Sequence, residues 1–202
     1  PNKISHLYIT PKLTAFACDH VVSSSNVLLQ CLARGPTGRV LDLRFQSRND
    51  PAVMDELGLT LVQICSTAPS GVVVFVPSYS YEAQLVSRWK RTSMWERLRH
   101  LKKVHREPKS AQHVEAALQA YARDAARGRH GGALLFSVVG GKMSEGINFS
   151  DDMARCVVLV GLPYPDITDA ELQEKMGALD RRSSGDTSTS TGISGQAYYQ
   201  NL

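Results

Sequence analysis

Residues 134–165 read LLFSVVGGKMSEGINFSDDMARCVVLVGLPYP. An apolar run at 133–139 enters a turn of two glycines, Gly140 and Gly141. A short polar segment follows, carrying Lys142 and Glu145 before Gly146. A second apolar run at 156–160 ends at Gly161 and Pro163. Continuous apolar runs of this length predict strands buried on both faces, as in a parallel sheet. A glycine-dense turn at the carboxyl end of such a strand is where open α/β sheets bind ligands.

The chemistry of GGK is tested first against the phosphate loop G-x-x-x-x-G-K-[ST]. Aligning Gly141 and Lys142 with it puts Phe136 where the first glycine belongs and Met143 where the hydroxyl belongs. The stretch is therefore not a self-sufficient nucleotide cradle. Gly140 and Gly141 still let backbone approach a phosphate closely, and Lys142 reaches it as a point charge. Glu145 and Asn148 flank Gly146 and can address ribose hydroxyls or an attacking water. The alternative is a structural turn with a solvated Lys–Glu pair, and the residues alone leave both readings open.

Working outward, 71–76 (GVVVFV) predicts another buried strand, closed by Pro77. Ser78 is placed to cap a helix over 79–91, with Glu82 in its first turn. Before it, Val53, Met54, Leu57, Leu61, Ile64 and Cys65 recur at helical spacing through residue 68. Asp55 and Glu56 suit the first turn of that helix. A magnesium-binding acidic pair belongs at a strand end, so they do not form one. Residues 27–33 (VLLQCLA) and 40–45 (VLDLRF) read as two strands around a turn with Gly35, Pro36 and Gly38.

Between 88 and 106 lies a basic run that includes Arg88, Arg91, Arg99, Lys102 and Arg106, interleaved with Trp89 and Trp95. It reads either as a solvated helix face or as a contact for a nucleic-acid backbone. A helix is predicted at 114–125, and another at 169–179 capped by Thr168 or Asp169. The alternation predicts an α/β, RecA-like parallel sheet with helices on both faces. The expected organisation is a poorly defined lead-in at 1–26 and a motor domain at 27–180. A flexible Ser/Thr/Gly-rich insertion at 181–195 and the start of a truncated helix at 196–202 follow.

Bulk properties bound the function. A net charge of +4 mildly favours an anionic partner. The four cysteines, Cys18, Cys31, Cys65 and Cys156, lack metal-ligand spacing. Cys31, Cys65 and Cys156 sit in apolar segments and read as small buried hydrophobes of a reducing, intracellular setting. No apolar run approaches the roughly 18 residues of a membrane span, and no signal peptide is visible, so no membrane partner is expected. The chain starts at Pro1 rather than Met, as a fragment would.

GVVVFVPSY, then VVGGKMSEGINF and RCVVLVGLPYP, resemble motifs IV, V and Va of the XPD-like iron–sulfur DNA helicases of superfamily 2. Asn148, where most of that family carries aspartate, together with ELQEKM, resembles the chromosome-loss, sister-chromatid-cohesion branch. The match runs over roughly residues 19–179. The resemblance implies the second RecA-like motor domain of an ATP-dependent 5′→3′ DNA helicase, in the nucleus. It implies that Glu145 (the catalytic candidate), Gly146 and Asn148 face the nucleotide. Gly140, Gly141 and Lys142 would lie between nucleotide and DNA. Ser78 and Tyr79, with Lys142, Arg88 and Arg91, would touch DNA.

Its implied cofactors are ATP and Mg²⁺ shared with a first motor domain, and an iron–sulfur cluster lying outside this chain. Its implied partners are single-stranded or forked DNA, the first RecA-like domain, and cohesion or replication-fork proteins. The family continues past this point into an arginine pair that acts as an arginine finger, worth about 10³–10⁵ in rate. Without it, the chain is expected neither to hydrolyse ATP nor to unwind DNA alone. The rival readings are another XPD-like repair or telomere helicase, and a non-catalytic nucleic-acid-binding module that uses the run at 88–106. A nucleotide-binding protein unrelated to helicases is a third.

Overall fold

The computed structural model describes residues 22–126, 131–144, 147–163, 169–185 and 194–200. It divides into a short unit, Pro1–Leu32, and a larger one, Ala33–Leu202. In the short unit, Ser23 caps a single 3₁₀ turn over Ser24–Asn26 through its side-chain oxygen. The chain beyond it joins no ladder among the described residues, and Leu28 and Leu29 are 88% and 91% exposed. The strands expected at 27–33 and 40–45 are therefore absent. One isolated antiparallel bridge, Arg34 with Val40, closes the Gly35–Gly38 turn. Apolar side chains alone do not make a strand when no neighbouring backbone offers hydrogen bonds.

The larger unit is built on four parallel strands, β1 (Val72–Val76), β2 (Lys103–Arg106), β3 (Ala133–Val138) and β4 (Cys156–Leu159), in the order β2-β3-β1-β4. The α/β, parallel-sheet expectation holds. The two central strands carry the near-continuous Val/Leu/Phe runs, because helices cover both of their faces. On one face Val72, Val74, Val76, Leu134, Phe136 and Val138 meet α1 (Pro51–Thr67), α2 (Tyr79–Arg91) and α3 (Met94–Leu101). Phe136 sits between Trp89 and Trp95, with ring centroids 5.9 and 6.0 Å away, and Trp89 donates its indole N–H to the Met54 carbonyl at 2.8 Å. On the other face Val73, Leu135 and Ala133 meet Tyr121 and Ala125 of α4 (Val114–Ala125). Phe149 packs edge-on to both Phe75 and Tyr121 there.

Helix ends follow the capping chemistry. Asp50 caps α1 with Pro51 at its first position, so the first turn is 51–54 rather than the acidic pair. Asp55 instead holds Arg88 through two oxygens, and Glu56 is buried under Thr37, accepting from its N–H and hydroxyl. Ser78 caps α2 by accepting from the Tyr81 N–H. Asp169 accepts from the Leu172 N–H at the start of α5 (Ala170–Gly185); Thr168 lies outside the described residues.

Three expectations are corrected here. The run at 88–106 is not one helical face: it holds the end of α2, all of α3 and the edge strand β2. Residues 181–185, assigned to the insertion, continue α5; 186–193 lie outside the described residues, and α6 (Gly195–Gln200) begins one residue before the helix expected at 196. Cys31 is exposed, whereas Cys65 is buried and Cys156 half-buried; Cys18 is outside the described residues. No helix among the described residues is long and apolar enough to cross a membrane.

Candidate functional site

The parallel sheet points all four carboxyl ends at one edge, and three of those ends converge on GGK. The Val139 N–H continues the ladder onto the Val76 carbonyl at 3.0 Å, and the Glu107 N–H onto the Phe136 carbonyl at 2.8 Å. This registers the end of β1 (Pro77, Ser78, Tyr79), the end of β2 (Glu107) and the end of β3 (residues 139–142) side by side. The turn itself is closed by Gly141 N–H to Val138 carbonyl at 2.8 Å, and by the Ser144 N–H and hydroxyl to the Gly141 carbonyl.

The two glycines serve different purposes. Gly140 has φ +67°, a conformation glycine adopts without strain, and open space where a Cβ would stand. At Gly141 a Cβ would lie 2.5 Å from Glu107 Oε1 and 2.7 Å from the Val138 carbonyl oxygen. The turn therefore approaches a carboxylate too closely for any side chain. Lys142 is exposed at its tip, and Met143 is fully buried beneath it on the α4 face of the sheet. An exposed lysine beside a side-chain-free glycine is a donor set that suits a phosphate as a point charge. Asn148 is also exposed. Glu145 and Gly146 lie outside the described residues.

Glu107 is the residue that sequence reasoning missed. Its Oε1 accepts from the Tyr79 hydroxyl at 2.5 Å and the Met143 N–H at 3.3 Å, and its Oε2 from the Ser137 hydroxyl at 2.7 Å and the Val138 N–H at 2.9 Å. Burial pushes its carboxyl upward, but these four donors outweigh it and hold the pKa below the usual value. The Tyr79 hydroxyl, by burial and by the carboxylate it donates to, is pushed up to about 12. The only sequence signal was an acid between a short alternating segment and Pro108, inside a run whose positive charge masked the strand.

The other expected DNA contacts do not gather at this edge. Along α2, Arg88 is nine residues from Tyr79, roughly 13 Å down the axis. Arg88 is bound by Asp55 at 2.9 and 2.6 Å, while Arg91 is exposed at the helix end. Arg106 is clamped by Glu82 at 2.5 and 2.6 Å, and Lys102 is buried. Among the described residues no cluster of His, Cys, Asp or Glu side chains is arranged to hold a metal ion.

The helicase C-terminal domain family matches residues 61–202. The ATP-dependent DNA helicase DDX11 of Danio rerio is 48% identical over 175 residues, covering 84% of this chain and 20% of that protein. Its Homo sapiens counterpart is 47% identical over 175 residues, 84% of this chain and 18% of its own length. The ATP-dependent DNA helicase CHL1 of Meyerozyma guilliermondii is 40% identical over 193 residues, 95% of this chain and 23% of that protein. The chain thus spans about a fifth of the length of these curated relatives.

Proposed function

The chain belongs to the helicase C-terminal domain family, and from that premise we propose that it is the second RecA-like motor domain of an ATP-dependent DNA helicase of the chromosome-cohesion type. In this reading it supplies half of an ATP site and part of the DNA track, with the sense of movement 5′→3′. The observation that carries it is the convergence of Ser78 and Tyr79, Glu107 and the turn at 140–142 on one carboxyl edge. Relatives named as ATP-dependent DNA helicases support the same reading.

Bound between this domain and the first motor domain, ATP would meet Lys142 and the open backbone at Gly140, with Glu145, Gly146 and Asn148 on the nucleotide side. Its Mg²⁺ would take protein ligands from the first motor domain, and an iron–sulfur cluster would belong to another part of the polypeptide. ATP hydrolysis supplies the free energy of movement. This chain's own work is to hold the γ-phosphate charge with Lys142 and to keep Tyr79 and Ser78 beside the DNA backbone. Single-stranded or forked DNA, the first RecA-like domain and cohesion or replication-fork proteins are the proposed partners, in the nucleus. The reading as a passive binding module on residues 88–106 is weakened, because Arg88, Arg99 and Arg106 face acids of their own chain.

In the full-length polypeptide, Lys142→Ala and Glu145→Gln are each expected to lower DNA-stimulated ATP hydrolysis about 10²-fold, the scale of removing one preorganised charge from a transition state. Wild-type rates in both variants would overturn the assignment.

A further inference from the structure

Glu107 is 8% exposed, and among the described residues its oxygens meet four hydrogen-bond donors and no ion-pairing cation. A carboxylate offers about four lone-pair sites, so the donors fill it. Two of them, Ser137 and Val138, belong to the rigid central strand β3. The other two sit on different sides of the edge: the hydroxyl of Tyr79, at the start of α2, and the N–H of Met143, next to Lys142. Both use Oε1. Oε1 therefore bridges the Tyr79 hydroxyl and the turn.

Gly141 packs against the same Oε1 with no space between. A shift of the turn must therefore either push the carboxylate or break its bonds. Hydrogen bonds to a charged group in a buried site are strong and directional, so the first is the cheaper response.

We propose that Glu107 is a positioning residue that couples the nucleotide-facing turn at 140–142 to Tyr79 at the DNA-facing start of α2. The proposal rests on the reading of that turn as nucleotide-facing. When the turn moves with nucleotide state, Oε1 carries the displacement to the Tyr79 hydroxyl; when DNA holds Tyr79, the turn is held in return.

The test measures ATP hydrolysis against ATP and single-stranded DNA concentration in the full-length polypeptide bearing Tyr79→Phe, Glu107→Gln, or both. Each single variant is expected to lower the DNA-saturated rate about tenfold, the size of one charge-assisted hydrogen bond, with KM for ATP within about threefold. The double variant is expected to be no slower than the worse single one. Losses that multiply in the double variant overturn the coupling, because they mark two independent defects. A DNA-saturated rate near wild type for Tyr79→Phe also overturns it, and that variant, one oxygen smaller, stands if Glu107→Gln does not fold. Lys142→Ala separates the two readings. Loss in Lys142→Ala with full rates in the Tyr79 and Glu107 variants defeats the coupling alone. Loss in the Tyr79 and Glu107 variants with Lys142→Ala intact keeps the coupling and defeats Lys142 as the phosphate contact.

Discussion

Glu107 and Lys102 are buried charges at opposite edges of the sheet, and they are used in opposite ways. At the carboxyl edge Glu107, an anion, collects donors from β3, α2 and the turn. At the amino edge Lys102, a cation 3% exposed, donates to the carbonyls of Ser70 at 2.9 Å and Gly131 at 3.2 Å, just ahead of β1 and β3. Burial lowers the Lys102 pKa, and the neighbouring Cys65 and Cys156 thiols oppose this only in part; burial also opposes the Glu107 charge, but its donors prevail. Lys102 ties scaffold to scaffold. Glu107 ties scaffold to the turn and to the start of α2, the parts proposed to meet nucleotide and DNA. The two ends thus differ in the partners of these buried charges rather than in burial itself.

This contrast can be broken by substitution. Glu107→Ala leaves four donors short of a partner, two of them backbone N–H groups inside the protein, and should cost about 3 kcal/mol or more in chemical denaturation. Lys102→Met fills the same space and strands two carbonyls only, which should cost about 1–2 kcal/mol and leave ATP turnover per folded molecule unchanged. A Lys102→Met variant that lost DNA stimulation would erase the distinction between the edges.

The third lever is pH. The folded pKa of Glu107 lies below its ordinary 4.5, so the unfolded chain binds the proton first. Its stabilisation is complete above that value and is lost as pH falls through the folded pKa. Lys102 has a folded pKa below its ordinary 10.5, so the unfolded chain again holds more proton, and stability rises as pH climbs between the two values. The melting-temperature gap between wild type and Glu107→Gln should therefore shrink on acidification below about 4.5, whereas that between wild type and Lys102→Met should widen toward 10.5. A gap independent of pH at either end would mean that the buried group is not charged as described.

What the sequence disclosed was what is local. Ser78 as a cap, the helix at 51–67, the runs of β1 and β3, and the glycines of the turn all write their reasons within a few residues. The strand β2 did not, because its KVHR carries charges that an edge strand tolerates and a helix face would also show. The basic run at 88–106 looked like one surface because charge is visible in sequence and its acids are not: Asp55 and Glu82 lie on other helical turns. Glu107 was hidden for the same reason at longer range, since its partners sit at 79, 137, 138 and 143. The segment at 27–33 erred the other way, offering apolar side chains with no ladder to join.

The contact between Gly141 and Glu107 also limits how this domain can drift. Any side chain at 141 would occupy the place of the carboxylate, and any bulkier group at 107 would occupy the place of the turn. Neither position can change first without harm. The two positions are therefore constrained jointly, alterable only by a paired step such as a shorter acid at 107 with a small residue at 141.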